Sequence, residues 1–249
     1  MCFIAESGHP SSSLSCSDII GSLYFDVMDH KIDKFILSKG HAAPCLYSAL
    51  IVNGDIPYEL ISELRKVNSP LQGHPDFGRL PNVNMTSGAL GQGVSFAIGC
   101  ALAKKIKSKD GYIFALIGDG EMQEGQIWES AMFAGNNKLN NLIVFLDNNG
   151  GQSDGYVKDI LPIDPILEKW KSFNWVVKEI DGHNVEEIKV QISEFKGSHI
   201  DKPLMVVANT KKGFINNELT ILDGKHGGVV DEDVLKEVEN AIKKDIEIL

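Results

Sequence analysis

The sequence predicts an α/β fold with three layers, in which a doubly wound, mostly parallel sheet carries helices on both faces. Two observations lead to this prediction. Apolar runs of strand length alternate with amphipathic runs of helix length along the chain. The chain also has 249 residues, of which 43% are hydrophobic, so it can bury a sizeable core. We therefore expect a single domain over residues 1–249.

The first elements follow from local patterns. Residues 14–30 carry apolar side chains at helical spacing after a serine-rich start that can cap a helix. A short strand is predicted in KFIL, before a glycine-histidine turn, and a helix in CLYSALIV, which ends at Asn53 and Gly54. Residues 86–106 have the pattern of a glycine-rich loop that opens a mostly apolar helix.

Beyond residue 112, strands and helices alternate to the last residues of the sequence. The predicted order is strand YIFALIG, an amphipathic helix, strand LIVFLDNN, helix IDPILEKWKSF, strand WVVKEID, helix VEEIKVQISEFKG and strand PLMVVANTK. The segment DEDVLKEVENAIKKDIEIL is predicted to form a charged amphipathic helix. This alternation is typical of a parallel sheet that is covered on both faces.

Charge, apolar-run length and cysteine spacing limit the class of protein. The formal net charge is −10 without a basic block, which argues against a nucleic-acid or anionic-membrane partner. No apolar run approaches the roughly 20 residues of a membrane helix, and no signal-like segment opens the chain. The four cysteines stand far apart in no metal or redox spacing, as expected of reduced core thiols. We therefore expect a cytoplasmic protein.

A carboxylate occupies the turn in which a phosphate is commonly bound. Asp119 lies between Gly118 and Gly120 at the predicted carboxyl end of a strand, where parallel sheets bind their ligands. The glycines do not follow the dinucleotide spacing G-x-G-x-x-G, and Asp119 would repel a pyrophosphate, so a dinucleotide site is excluded. The loop GALGQG fails the same spacing, and the sequence has no P-loop G-K-[ST].

A hard divalent cation removes this repulsion. Mg²⁺ or Ca²⁺ can bind Asp119 and phosphate oxygens together. Asn149 adds an amide oxygen about thirty residues later, at the end of the next strand, and the NGGQ segment can turn a backbone carbonyl toward the ion. A helix predicted to begin near Glu121 offers backbone N–H groups to a diphosphate. The spacing therefore predicts a metal-bound diphosphate between two strand ends.

These residues resemble a known family. GDG followed by NN resembles the thiamine-diphosphate-binding motif, and GDGEMQEGQIWESAMFAG with KLNNLIVFLDNNG is similar to transketolase, in particular to the separate N-terminal subunit of split bacterial and archaeal transketolases. Five further matches follow the family's order: SGHPSSSLSCSDI, LSKGHAAPCLY, LQGHP, TSGALGQG and DGKHGG. The resemblance covers nearly the whole chain. It implies a transferase of the pentose phosphate pathway that moves a two-carbon ketol unit from a ketose phosphate to an aldose phosphate.

The resemblance also implies roles for individual residues. Thiamine diphosphate and Mg²⁺ are the implied cofactors, and Ca²⁺ or Mn²⁺ can replace Mg²⁺. The implied metal ligands are Asp119, Asn149 and the carbonyl of Gly151. The implied cofactor-binding positions are His41, Gly88, Ala89, Leu90, Gly118, Asp119, Gly120, Glu121, Asn149, Gly151, Ser153 and His226. The implied catalytic positions are His9, His74 and His226, which face the ketose donor, with Glu124 and Glu129.

Simpler roles stay open for some of these residues. Turn histidines are commonly solvated, and a zinc cluster is a rival interpretation, although no H-x-x-H or C-x-x-C spacing supports it. Glu124 suits the first turn of a helix and Glu129 a solvated surface, whereas the family places both in a carboxylate network between two active sites. We interpret His30, His183, His199 and the three tryptophans as structural.

The family's cofactor lies between two domains, and the second of them, which binds the pyrimidine and carries the activating glutamate, is not recognisable here. We therefore expect three things: a separate C-terminal subunit, assembly as α2β2, and no activity of this chain alone. Two alternatives remain: a decarboxylating 2-oxo acid enzyme with the same cofactor, and a cofactor-free scaffold subunit.

The chain departs from the family pattern in several places. Ser11 and Ser12 replace glycines, and Gly151 and Ser153 replace bulky aliphatic residues near the thiazolium ring. A smaller, more polar wall at 151 and 153 would suit a different donor. Met1 falls inside what would be the first family helix, so we expect the natural start to lie upstream.

Overall fold

The structure is a computed structural model and describes residues 1–222 and 227–248. Its strands are β1 Lys34–Leu37, β2 Ile113–Gly118, β3 Leu142–Asn148, β4 Gly151–Gln152, β5 Gly155–Tyr156, β6 Val176–Asp181 and β7 Leu204–Asn209. Five of them form a parallel sheet in the order β1-β2-β3-β7-β6, and β4 and β5 form a small antiparallel hairpin. The predicted α/β class is confirmed.

Helices flank the sheet on both faces. Their bounds are α1 Pro10–Leu14, α2 Ser17–Ser22, α3 Ala43–Val52, α4 Gln92–Ile106, α5 Gly125–Asn136, α6 Val157–Ile160, α7 Ile166–Ser172, α8 Val185–Gly197 and α9 Glu232–Ile248. None of the helices in the described ranges is both long and apolar enough to cross a membrane.

The central strands contribute to two hydrophobic cores because their side chains alternate between the faces of the sheet. In β3, Ile143 and Phe145 pack in one core with residues of α2, α3 and α8. Val144 and Leu146 pack in the other core with residues of α4, α5 and α7. Burial on both faces explains why the central strands have unbroken apolar sequences.

The register of the sheet brings four strand ends to one edge. Leu37 is paired with Leu116, Gly118 with Asp147, and Asn148 with Asn209. The turns that follow β1, β2, β3 and β7 therefore leave the sheet side by side, as expected for parallel strands.

Three local details differ from the sequence-based expectations. The helix predicted over residues 14–30 is replaced by α2 and a π-helical turn at Leu23–Val27. The serine-rich segment before it forms the separate helix α1, because the chain turns between α1 and α2, where Ser15 is directed toward the sheet. A 3-10 turn at Gly120–Gln123 precedes α5, which begins at Gly125 instead of near Glu121. The hairpin of β4 and β5 was not expected in the polar segment after Asn149.

Candidate active site

The four strand ends surround a cavity of about 220 Å³. The turns after β1, β2 and β3 line it, and the segment after β7 reaches it through Lys212. Most of the residues expected at a cofactor site are brought together here. The expected residues that line the cavity are His41, Leu90, Gly118, Asp119, Gly120, Glu121, Glu124, Asn149, Gly151 and Ser153.

Asp119 is held in a fixed orientation and is only 2% exposed. Its Oδ1 accepts a hydrogen bond from the N–H of Gly120 at 2.8 Å, and its Oδ2 accepts one from the N–H of Gly150 at 2.5 Å. The second bond ties the end of β2 to the loop after β3. Burial, together with the nearby carboxylate of Asp147, raises the pKa of Asp119 to about 6. A cation bound at Asp119 would lower this pKa, because positive charge favours the ionised form.

Asn149 is oriented by its own loop. Its Nδ2 donates to Oδ2 of Asp147 at 3.0 Å, and its Oδ1 accepts from the N–H of Gly151 at 3.1 Å. Because a carboxylate can only accept, the nitrogen of the amide must be the atom that faces Asp147. The loop therefore offers an amide oxygen and backbone carbonyls beside Asp119, which are the oxygen ligands that Mg²⁺ prefers.

A buried ion pair that the sequence analysis missed supports this loop. Nζ of Lys39 contacts Oδ2 of Asp147, and both side chains are at most 1% exposed. Asp147 also accepts from Oγ of Ser15 at 2.6 Å and from Oγ1 of Thr210. Burial would lower the pKa of Lys39, but the carboxylate of Asp147 outweighs it and the pKa is raised. Burial would likewise raise the pKa of Asp147, yet Lys39 holds it below its ordinary value.

The sequence contained one signal for this pair. Lys39 directly precedes the glycine-histidine turn after β1, and Asp147 lies at the end of β3 just before the asparagines. Charged residues inside the carboxyl ends of two buried strands need partners, because an isolated charge there is costly. The strand β2 lies between β1 and β3, so the pairing of Lys39 with Asp147 could be predicted only once the strand order was known.

Glu121 joins three turns. Its Oε1 accepts from the N–H of Gly91 at 2.8 Å and from Oγ of Ser38, and its Oε2 accepts from the N–H of Gly118 at 3.1 Å. The residue is 2% exposed. Burial raises the pKa of Glu121, and the hydrogen bonds from Ser38, Gly91 and Gly118 partly oppose that rise. Glu121 thus fastens the end of β1, the loop before α4 and the end of β2 to one another.

We expect Glu121→Gln to lower the free energy of unfolding by roughly 1–3 kcal/mol, because the carboxamide has one acceptor oxygen and leaves a buried donor unpaired. Urea unfolding followed by circular dichroism measures this change. Glu129→Gln is the matched control, since Glu129 is exposed on α5, and its effect should stay within about 0.5 kcal/mol. Equal stabilities of the two variants would contradict the role of Glu121.

Gly151 makes room for the ammonium group of Lys212 in the cavity wall. A Cβ atom at residue 151 would lie 3.0 Å from Nζ and 3.1 Å from Cε of Lys212. Burial lowers the pKa of Lys212, and the carboxylate of Asp119 opposes this shift. The wall that was expected to be smaller and more polar is therefore also positively charged. Ser153, the other residue that replaces a bulky aliphatic residue of the family, is exposed and lines the same cavity.

The two serines that replace family glycines, Ser11 and Ser12, are fully buried. Their backbone carbonyls hold neighbouring parts of the site, because the carbonyl of Ser11 accepts from the N–H of Gly213 at 2.9 Å and that of Ser12 accepts from Nζ of Lys39 at 3.2 Å. This segment therefore positions both lysines of the site, Lys39 directly and Lys212 through the adjacent Gly213.

Three of the expected histidines form a group. The ring centroid of His9 lies 5.4 Å from that of His41 and 6.5 Å from that of His74. Burial, and next Arg65, lowers the pKa of His9 to about 4, and the same two causes lower the pKa of His74. His9 is thus neutral near pH 7. His226 falls within residues 223–226, outside the described residues.

The remaining expected residues lie around the cavity. Gly88 adopts φ +153°, and its Cα faces the ring of His74. Ala89 is exposed beside it. Glu124 lines the cavity, whereas the structure places Glu129 on the exposed side of α5.

The donor set suits a divalent cation and an anion held together. Asp119, Asn149 and a loop carbonyl offer three oxygen ligands, which leaves other positions for phosphate and water. Lys39 and Lys212 surround them with positive charge. Within the described ranges, no three His, Cys, Asp or Glu side chains are grouped as metal ligands. Fold and site together define a parallel α/β protein with a polar cavity at the carboxyl edge of its sheet, lined by oxygen donors and lysines.

Comparison with known proteins names the family. Residues 3–246 match the family described as transketolase, thiamine diphosphate binding domain. The chain belongs to this family. The 6-deoxy-6-sulfo-D-fructose transketolase subunit SqwG of Clostridium sp. strain MSTE9 is 43% identical over 83% of this chain and 78% of that protein. An apulose-4-phosphate transketolase subunit of Phocaeicola vulgatus is 33% identical over 96% of this chain and 89% of that protein.

Longer transketolases match over part of their length. Rat transketolase is 37% identical over 84% of this chain but only 34% of that protein. The crystal structure of the Campylobacter jejuni transketolase has a TM-score of 0.87 at 30% identity and covers 96% of this chain and 39% of that chain. The chain therefore spans well under half of these longer enzymes.

The comparisons confirm the main predictions from the sequence. The chain is a transferase component of the transketolase type, with the expected α/β fold. Thiamine diphosphate is the cofactor of this family's domain. The metal ion and the individual site residues stay predictions.

Proposed function

We propose that this chain is the N-terminal subunit of a two-chain transketolase and transfers a two-carbon ketol unit from a ketose phosphate to an aldose phosphate. The chain matches most of the length of separate transketolase subunits but only about one third of the longer enzymes, and this difference carries the proposal. Residues 1–249 act as one diphosphate-binding domain. A C-terminal subunit contributes the pyrimidine-binding domain, and two copies of each chain form an α2β2 assembly.

The pathway and location are part of the proposal. The ketol transfer belongs to the pentose phosphate pathway or to a related sugar pathway. A cytoplasmic location is supported by the four cysteines, all of which are free thiols.

In this proposal Mg²⁺ binds the carboxylate of Asp119, the amide oxygen of Asn149 and the carbonyl of Gly151, and Ca²⁺ or Mn²⁺ can replace it. The bond from the N–H of Gly150 to Asp119 supports this role, because it brings the two loops together before any ligand binds. Lys212 and His41 line the same cavity and suit the oxygens of the diphosphate.

When bound, thiamine diphosphate supplies the carbon nucleophile for a ketose carbonyl and stores the electron pair of the broken C2–C3 bond. The residues of this chain bind, orient and transfer protons. His9, His74 and His226 face the donor sugar, where an imidazole can donate a hydrogen bond to a sugar oxygen or exchange a proton with a hydroxyl. Glu124 and Glu129 belong to the contact between two active sites.

The names of two relatives indicate the class of donor. One relative is named for 6-deoxy-6-sulfo-D-fructose and the other for apulose 4-phosphate. A sulfonate and a phosphate share a tetrahedral anionic head, so we propose an anionic ketose as the donor of this chain too.

The test is ketol transfer to ribose 5-phosphate by this chain mixed with the C-terminal subunit from the same genome, with Mg²⁺ and thiamine diphosphate. Xylulose 5-phosphate, 6-deoxy-6-sulfofructose and apulose 4-phosphate serve as parallel donors. We expect activity with at least one donor in the mixture and none with either chain alone. Release of CO₂ from pyruvate without ketol transfer would select the 2-oxo acid alternative, and a mixture that binds no cofactor would select a scaffold.

A further inference from the structure

Arg65 lies beside the histidine group and has an unusual backbone. It is exposed in the loop after the 3-10 turn at Tyr58–Ser62, and its φ of +60° falls in the left-handed region that residues with a Cβ rarely adopt. Its N–H donates to the carbonyl of Leu71 at 2.8 Å and closes the loop. This conformation directs the side chain back toward the start of α1.

Gly73 provides the space for the guanidinium. A Cβ atom at residue 73 would lie 2.8 Å from Nε, 3.1 Å from Nη2 and 3.2 Å from Cζ of Arg65. The backbone of Gly73 therefore supports one side of the guanidinium. On another side, Nη1 of Arg65 donates to Oγ of Ser7 at 2.8 Å. The cation is held from two segments of the chain.

One terminal nitrogen of the guanidinium, Nη2, also faces His9. Nη2 of Arg65 lies 3.4 Å from Nδ1 of His9. An arginine side chain has five donors, no acceptor and a permanent charge, so the histidine nitrogen opposite it must carry a lone pair instead of a proton. The proton of neutral His9 is then on Nε2, the ring atom that faces Gly227, next to the segment that follows His226 in the sequence.

We propose that Arg65 is a positioning residue for His9, which it holds in the tautomer with a bare Nδ1 and a protonated Nε2. On the proposed function, His9 then presents a hydrogen-bond donor to an oxygen of the donor ketose. Arg65 acts through His9 and is not itself assigned a contact with the sugar.

Several groups surround His9 and contribute to its protonation. They are Arg65, His41, His74, Lys39 and Lys212. Burial is the largest cause of the lowered pKa of His9, and Arg65 is the next. Removing the charge of residue 65 should therefore raise this pKa from about 4 toward 6.5 without reaching it.

The test is a pH titration of the full chain by NMR, with ¹⁵N-labelled histidines and His9→Gln to assign the signals. In the parent chain we expect the ¹⁵N shifts of one dominant tautomer protonated at Nε2. In Arg65→Met we expect a mixture of tautomers and a higher pKa of His9. Arg65→Lys should keep part of the lowering of the His9 pKa, because the positive charge is retained. It should not keep the single tautomer, because the lysine ammonium lacks the rigid, planar set of donors of a guanidinium.

Two further variants separate geometry from charge. Gly73→Ala keeps the arginine but displaces its guanidinium, so it should change the tautomer as Arg65→Met does. Arg79→Met removes another exposed arginine, paired with Asp76, and should leave His9 unchanged. A parent chain protonated at Nδ1, or unchanged His9 signals in both Arg65→Met and Gly73→Ala, would overturn the proposal. The titration needs neither partner nor cofactor, so failure of the ketol-transfer assay alone would refute only the proposed function.

Discussion

Asp119→Ala should abolish Mg²⁺-dependent binding of thiamine diphosphate, with a loss of affinity of roughly 100-fold or more, since changes of residues that only support a metal ligand already cost about 10–100-fold. The variant removes the carboxylate that is proposed to bind the cation and also the acceptor that ties Gly150 to the end of β2. Calorimetric titration of the two-subunit mixture with thiamine diphosphate, at fixed Mg²⁺, measures the effect.

Asp154→Ala is the matched control, because Asp154 is an exposed carboxylate on the neighbouring hairpin. It should bind the cofactor like the parent chain. If Asp119→Ala keeps full affinity and full Mg²⁺ dependence, the metal site lies elsewhere.

Asp119 also makes the free energy of unfolding of the metal-free chain depend on pH. Its charged form lowers that free energy, whereas the same charge is expected to favour cofactor binding. The pKa of Asp119 is about 6 in the fold against an ordinary value of 3.8. Below pH 3.8, Asp119 is protonated in both the folded and the unfolded chain, so it does not change the stability. As the pH rises from 3.8 toward 6, only the unfolded chain loses this proton readily, and the stability of the fold falls. Asp119→Asn leaves one of the two N–H donors of Gly120 and Gly150 without its acceptor at every pH, so the pH dependence of its stability is the informative quantity. Without metal, the stability of the parent relative to Asp119→Asn should fall by about 1–3 kcal/mol between about pH 3.5 and about pH 7.5, because residue 119 of the variant does not titrate.

Asp147→Ala should destabilise the chain by about 3–5 kcal/mol, because it leaves the ammonium of Lys39 buried without its carboxylate. The variant also removes the acceptor shared by Ser15, Asn149 and Thr210. Chemical unfolding, followed by tryptophan fluorescence, gives the free energy. The double variant Lys39→Met/Asp147→Leu should recover much of the loss, since it leaves no unpaired charge.

Two outcomes would contradict this account of the ion pair. One is a loss below about 1 kcal/mol in Asp147→Ala, the size expected of a solvent-exposed pair. The other is a double variant that is less stable than the single one. Because the pKa of Asp147 is lowered in the fold, the stability that it contributes is present above its ordinary pKa of 3.8 and is lost only as the pH falls below that value.

The sequence was most informative where a local pattern decides the structure. The apolar runs predicted every strand of the main sheet, most clearly the central ones, which are buried on both faces. Asp119 and Asn149 were predicted at the site because turn position, residue type and spacing all indicated a cation. The ordered family motifs then placed the histidines, of which His9 and His41 are neighbours.

The contacts that were missed depend on distant parts of the chain. Asp147 meets Lys39 across 108 sequence positions and Ser15 across 132, and no periodicity in a single element carries such information. The roles of Gly73 and Gly151 depend on side chains that pass over them, and a glycine in a sequence does not show what fills the space above it. The break between α1 and α2 has the same origin, because Ser15 there bonds to Asp147 on β3.

The arrangement of site residues on four adjacent strand ends has a consequence for folding. Neighbouring residues in a strand are about 3.3 Å apart, so a slip of one residue between β2 and β3 would move Asp119 away from the loop of Asn149 by more than the length of a hydrogen bond. A sheet assembled with the wrong register would therefore have no cofactor site. Because a ligand that binds only the native state stabilises it by mass action, thiamine diphosphate and the proposed cation should stabilise only the sheet with the correct register.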